Sequence, residues 1–154
     1  MTESTLLAAL SESQVLALTA YGEARDQPID GRIAIVNVIR NRVKAQRASF
    51  GRTARAVCLK PWQFSCWRPE GGKANYDVVL AAARTLTQPD GIVGPILREC
   101  VWIAEGALAG AFRDSTRGAT HYLTAALYGA APPAWARGLT PVCRIGAHVF
   151  FVAK

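Results

Sequence analysis

Glu23 is the residue of this chain best placed to do chemistry. It stands in Tyr21-Gly22-Glu23-Ala24-Arg25, at the end of an apolar segment and shortly before the helix-breaking Pro28. A carboxylate in the last turns of a helix meets the negative end of the helix dipole, which disfavours its ionised form. If it also faces a partly apolar cleft its pKa rises further, as a general acid near neutral pH requires. Acid catalysis of sugar-bond cleavage usually enlists a second carboxylate within about 5–10 Å. The other acidic residues read as structural. Glu12 sits in a capping box, Asp30 and Asp77 open helices, Asp90 lies in a Pro-Asp-Gly turn, Glu70 and Asp114 fall in polar loops, and Glu3 belongs to a terminal tail. Glu99 and Glu105 on a late helix, and Asp26 beside Glu23, are left without a structural role.

The elements that must position Glu23 follow from the pattern. Ser11-x-x-Gln14 is a capping-box signature that opens a helix over about 12–25, with Val15, Leu16, Leu18 and Thr19 on its core side. Pro28 and Gly31 separate it from a second helix over about 31–46. Ile33 to Ile39 leave that helix little polar face, which marks a central one. Asn37 and Asn41 lie four apart on one side of it, where they point jointly into a cleft or satisfy nearby loop carbonyls. A short helix is expected over 53–59, and two more over 76–87 and 95–112, joined by a turn at Gln88–Gly91. Residues 60–75, KPWQFSCWRPEGGKAN, read as a loop. Its Trp62, Phe64 and Trp67 are either plugs for a small satellite core or a platform for ring stacking. The tail changes character: 119–123 and 149–152 suit strands. Helices first and a small sheet late give an α+β class, a mainly helical domain with a small antiparallel sheet near the C-terminus.

Composition bounds the rest. At 154 residues and 51% hydrophobic, residues 1–154 make one globular domain. The net charge of +7 favours anionic partners. The arginines are scattered and no nucleic-acid motif is visible, so nucleic acid is not expected. No apolar run reaches the ~20 residues of a bilayer span. Cys58, Cys66, Cys100 and Cys143 contain no Cys-x-x-Cys pair, so neither a metal nor a cofactor is expected. Cys58 and Cys66 flank the Gln-Phe-Ser segment and could bridge in an oxidising compartment. The N-terminus has no basic n-region.

Several segments resemble, in order, the spore-cortex-lytic (SleB/CwlJ) type of bacterial cell-wall hydrolase. Tyr21–Val43, YGEARDQPIDGRIAIVNVIRNRV, is similar to that family's Y-G-E-A-R/S segment and the helix that follows it. The likeness continues at Val57 and Gln63-Phe64-Ser65-Cys66, at Gly118-Ala119-Thr120-His121-Tyr122, at Trp135, and at Ile145–Phe151, IGAHVFF. The resemblance implies a lysozyme-like fold and cleavage of the MurNAc–GlcNAc bond of peptidoglycan. Glu23 would be the acid, with Gln63, Phe64, Ser65, Thr120 and Tyr122 around the sugar. With one carboxylate the expected reaction is that of a lytic transglycosylase, giving 1,6-anhydro-MurNAc. A hydrolytic muramidase is the alternative, and a non-enzymatic basic module for wall polymer or nucleic acid is the second. Two departures stand out: His121 replaces the family's tyrosine, and Leu123-Thr124-Ala125 replaces its Asn-Pro. Strand alternation puts His121 on the face opposite Tyr122, away from catalysis, and His148 is expected to hold the last strand by a hydrogen bond. The expected setting is a monomeric phage or prophage endolysin without stable membrane association. It would be made in the cytoplasm and act on glycan strands in the wall after holin-dependent release.

Overall fold

The computed structural model describes all residues, 1–154. Its elements are α1 (Glu3–Ala9), α2 (Glu12–Ala24), α3 (Ile29–Ala45), α4 (Ala54–Leu59), α5 (Lys73–Thr87), α6 (Pro95–Leu108), β1 (His121–Thr124), α7 (Ala125–Ala130), β2 (Cys143–Ile145) and β3 (His148–Phe151). The predicted α+β class, with its sheet at the C-terminal end, is the fold observed.

Helix α2 is the most enclosed. Six consecutive residues, Val15 to Ala20, are buried, because α3, α4, α5 and α6 all pack around it. Its start is the expected capping box: Ser11 Oγ accepts from Gln14 N, and Gln14 Oε1 accepts from Ser11 N. Helix α3 lies between two layers, and polar Arg32, Asn37 and Arg42 are buried along it beside its apolar residues. Ile35, Val36 and Ile39 join the helical core, while Ala34 and Val38 pack on Ala119 and Phe150 of the sheet side. No helix is long and apolar enough to cross a membrane.

The sheet is antiparallel in the order β1-β3-β2. Tyr122 lies opposite Phe150, and Thr124 opposite His148. A tight hairpin joins β2 to β3 through Gly146, whose φ of 58° is left-handed. A side chain there would meet Gln27 Oε1 at 2.7 Å, and that same oxygen accepts from Ala147 N at 3.0 Å. The loop after α2 is thereby fastened to the sheet.

Several expectations are corrected. Glu3 is not in a tail: α1 buries Leu6, and Tyr76 of α5 donates a hydrogen bond to Glu3. The 95–112 helix stops at Leu108, because the chain turns at Gly110 with φ 78°. Asn37 and Asn41 do not point into a cleft. Asn37 Nδ2 donates to Ser115 Oγ (3.1 Å) and Asn41 Nδ2 to Ala119 O (2.9 Å), so both serve the 113–119 loop. In that loop burial alone would raise the Asp114 pKa. Hydrogen bonds from Thr116, Asn41 and Gly118 outweigh it and hold the carboxyl below its usual value. All four cysteines are free thiols, so no bridge joins Cys58 and Cys66.

Gly22 sets the spacing between α2 and the 60–72 loop. A Cβ there would lie 2.6 Å from Cys66 Cβ and 2.8 Å from Val79 Cγ2. Gly22→Ala is expected to lower unfolding free energy by about 1–3 kcal/mol through overpacking, despite alanine's better helix propensity. Chemical denaturation measures this, and an unchanged or increased stability would contradict the close packing.

Candidate active site

Glu23 sits in the last turn of α2, where the helix emerges between the 60–72 loop and the sheet. Its carboxylate is held from two sides. Tyr122 Oη donates to Oε2 at 2.9 Å, and Cys66 N donates a long hydrogen bond to Oε1 at 3.4 Å. Burial first, then the neighbouring Glu23 charge, raises the Tyr122 pKa well above its ordinary value. The phenol therefore stays protonated and remains a donor. The same two causes keep the Cys66 thiol protonated and unreactive.

Two recesses meet at Glu23. The larger, of about 430 Å³, has Glu23 as its only carboxylate. Gln63, Ser65 and Tyr122 line it as the sequence predicted. Trp62 and Trp135, 75% and 39% exposed, stand at its edge. The smaller, of about 290 Å³, lies between Gly22, Arg25, Asp26 and Asn75. Glu99 and Glu105 reach neither recess. Glu99 is engaged by Arg32, whose Nε lies 2.8 Å from Oε1, and Glu105 is exposed on α6. The guanidinium of Arg32 also gathers the Arg25 and Gln27 carbonyls, which fixes the chain just after α2.

Two predicted sugar contacts lie behind the wall instead of on it. Phe64 is buried, and its ring carries the Arg42 guanidinium 5.3 Å from the centroid. It supports the floor of the cavity. Thr120 is also buried; its carbonyl accepts from Arg42 Nε at 2.7 Å and its hydroxyl is bonded to His121 Nδ1 at 2.9 Å. Within the loop, Phe64, Cys66 and Trp67 point inward, the last donating from its indole to Thr19 Oγ1 at 2.9 Å. Gln63 and Ser65 consequently face outward.

Three cavity residues were missed or set aside. Arg42 lines the cavity from α3, with Nη1 donating to Gln63 Oε1 at 2.9 Å; an arginine inside an otherwise apolar helix is the signal that could have marked it. Burial lowers its pKa from the ordinary arginine value, opposed by Tyr122, Cys58 and Glu23. Arg68 lines the cavity as well, and only the loop's density of aromatic and polar residues hinted at it. His121 lies on the face of β1 opposite Tyr122, as alternation predicts, paired across from Phe151, yet it borders the same cavity. Its ring packs on Trp135 at 5.0 Å. Burial, then Arg42 and Arg47, pulls its pKa down to about 4, so it is neutral at neutral pH. His148 makes no strand-holding hydrogen bond from Nδ1, which finds no partner in the protein. It supports the site by packing edge-on against the Tyr122 ring at 5.3 Å.

The sequence over residues 26–151 matches the family described as Cell Wall Hydrolase. The chain belongs to that family. The match starts three residues after Glu23 and does not include it. Two solved structures are similar to this hydrolase. The catalytic domain of the Bacillus cereus SleB protein shares 26% identity at a TM-score of 0.58, over 91% of this chain and 88% of that one. The catalytic domain of the germination-specific lytic transglycosylase SleB from Bacillus anthracis shares 24% at 0.57, over 91% and 93%, a likeness that shows the fold alone. No curated protein sequence matches the hydrolase.

The bond between Tyr122 and Glu23 has a measurable consequence. A hydrogen bond to a charged group contributes about 1.5–3 kcal/mol. Tyr122→Phe keeps the ring packing and is expected to lower kcat by at least about tenfold with KM within about twofold. Steady-state kinetics on purified cell wall would show it; an unchanged kcat would remove Tyr122 from the catalytic machinery.

Proposed function

We propose that this cell-wall hydrolase cleaves the MurNAc–GlcNAc bond of peptidoglycan as a lytic transglycosylase, with Glu23 as the single acid and base. The observation that carries the reading is the position of Glu23. It lies where two recesses meet, so a glycan strand can run past it on both sides, and the larger recess offers no other carboxylate.

In this reading protonated Glu23 gives its proton to the glycosidic oxygen, and the bond from that oxygen to the muramyl C1 breaks. The C6 hydroxyl of the same muramyl sugar then attacks C1, and the Glu23 carboxylate takes up the hydroxyl proton. The ring closes as 1,6-anhydro-MurNAc and the acid is regenerated, with no water consumed. Tyr122 stabilises the carboxylate between the two transfers, since its hydroxyl is already aimed at Oε2. Gln63 and Ser65 offer hydrogen bonds to N-acetyl groups, while Trp62 and Trp135 offer stacking faces.

Glu23→Gln is expected to lose at least ~10²-fold in activity while folding normally. Wild-type digestion should release muropeptides that borohydride cannot reduce, because an anhydro ring has no free reducing end. Asp26 on the smaller recess is the observation that favours hydrolysis instead. Reducible products carrying oxygen from heavy-oxygen water, abolished in Asp26→Asn, would establish a muramidase. The monomeric endolysin setting is part of the proposal. Cells expressing the protein in the cytoplasm should lyse only once their membrane is permeabilised, and lysis without that step would contradict it.

A further inference from the structure

The larger recess carries more positive charge than its own residues neutralise. Arg42 and Arg68 both line it, and neither forms an ion pair; the ion pairs of the protein are Arg32–Glu99 and Lys73–Asp77. Arg42 is nonetheless occupied, by the Thr120 carbonyl and the Gln63 amide oxygen. Arg68 is not. Its Nε and Nη1 are buried and find no acceptor in the protein. Its guanidinium lies instead under the Trp62 indole, 3.7 Å from the ring centroid.

That arrangement is unusual on two counts. A buried guanidinium N–H without an acceptor is costly, and proteins rarely leave one so. Trp62 is held over it by a left-handed backbone, φ 69°, which a residue with a side chain seldom adopts. Yet Trp62 is 75% exposed, so little packing opposes a movement of the indole. The other groups lining the cavity do not supply a partner: Glu23, its one carboxylate, forms no ion pair with Arg68, Gln63 and Ser65 are neutral, and His121 is neutral at neutral pH.

We propose that Arg68 is the anion subsite of this enzyme, and that it binds a free carboxylate on the peptide arm of the muramyl sugar, with Trp62 as its cover. The inference rests on the peptidoglycan reading above. On binding, the indole leaves the guanidinium for a sugar face, and the freed N–H groups meet the carboxylate in the paired geometry that arginine favours. Arg68 is then a specificity-determining residue: it selects glycan strands whose peptide arms keep an acidic group, and it takes no part in proton transfer.

The test uses the full chain carrying Glu23→Gln, so that substrate is bound without being cut. Two probes are compared by calorimetry: soluble uncrosslinked glycan strands bearing their peptide arms, and the same strands after carbodiimide coupling to ammonia, which converts free carboxylates to neutral amides. Amidation is expected to weaken binding by about tenfold, the scale of one lost charge-assisted contact. Adding Arg68→Gln should weaken binding of native strands by a similar factor and erase the difference between the probes. Arg68→Lys, which keeps the charge without the fork, should fall between the two. Arg84→Gln, on an exposed position of α5, removes one charge elsewhere and should leave the ratio intact. Thermal unfolding of each variant checks that it folds. The proposal is overturned if Arg68→Gln binds native strands as tightly as its parent, if it keeps the parent's native-to-amidated ratio, or if Arg84→Gln reduces that ratio equally. A wild-type protein that releases no anhydro product would end the transglycosylase reading, while the binding comparison would still read Arg68.

Discussion

The hydrogen bond from Tyr122 to Glu23 is where the two halves of this molecule meet. The carboxylate comes from the end of the most enclosed helix, and the phenol from an edge strand nearly a hundred residues later in the chain. Neither half can form the site alone. The remaining tertiary contacts hold these two groups in register. Gln27 ties the loop after α2 to the hairpin turn, Arg32 gathers the carbonyls between them, and Arg42 reaches from α3 to the Thr120 carbonyl behind β1. Helix α3 fills the seam between the layers, with apolar residues facing both and polar ones reaching the chain just before β1.

The same seam accounts for the electrostatics. Arg42 must be buried to span from helix to strand, and its cost is offset by two oxygen acceptors and the faces of Phe50 and Phe64. That leaves a cationic wall opposite a single carboxylate. The positive wall fits an anionic polymer, while burial first, then Arg42 and Arg47, keeps His121 in its neutral form on the cavity side.

Much of this was legible in the sequence wherever a periodic or capping signal existed. Ser11 and Gln14 announced α2, the run from Ile33 to Ile39 announced a layer-spanning helix, and a carboxylate in the last turns of α2 pointed to Glu23. The sequence was silent where no period applies. In the 60–72 loop it could not say that Phe64 points inward while Gln63 and Ser65 face the cavity, because backbone turns and the Trp67–Thr19 bond decide that. Strand alternation placed His121 on the correct face but could not show that this face also borders the cavity, since alternation assigns faces and says nothing of where a cavity ends. Arg68 was marked only by the loop's density of aromatic and polar residues, because tertiary placement decides where a long flexible side chain ends. The short elements α1, α7 and β2 were also missed, at seven, six and three residues. Segments of that length carry too few turns or alternations for a pattern to show.

The central claim is that the scissile bond lies at Glu23, between the two recesses, and a structure of the Glu23→Gln protein with a bound glycan strand tests it most directly. The account predicts a glycosidic oxygen within about 3 Å of the side chain at position 23, one sugar in each recess, and the Tyr122 hydroxyl still bonded to that side chain. A strand seated with its glycosidic oxygens away from position 23, or with the nearest one beside Asp26, would contradict it.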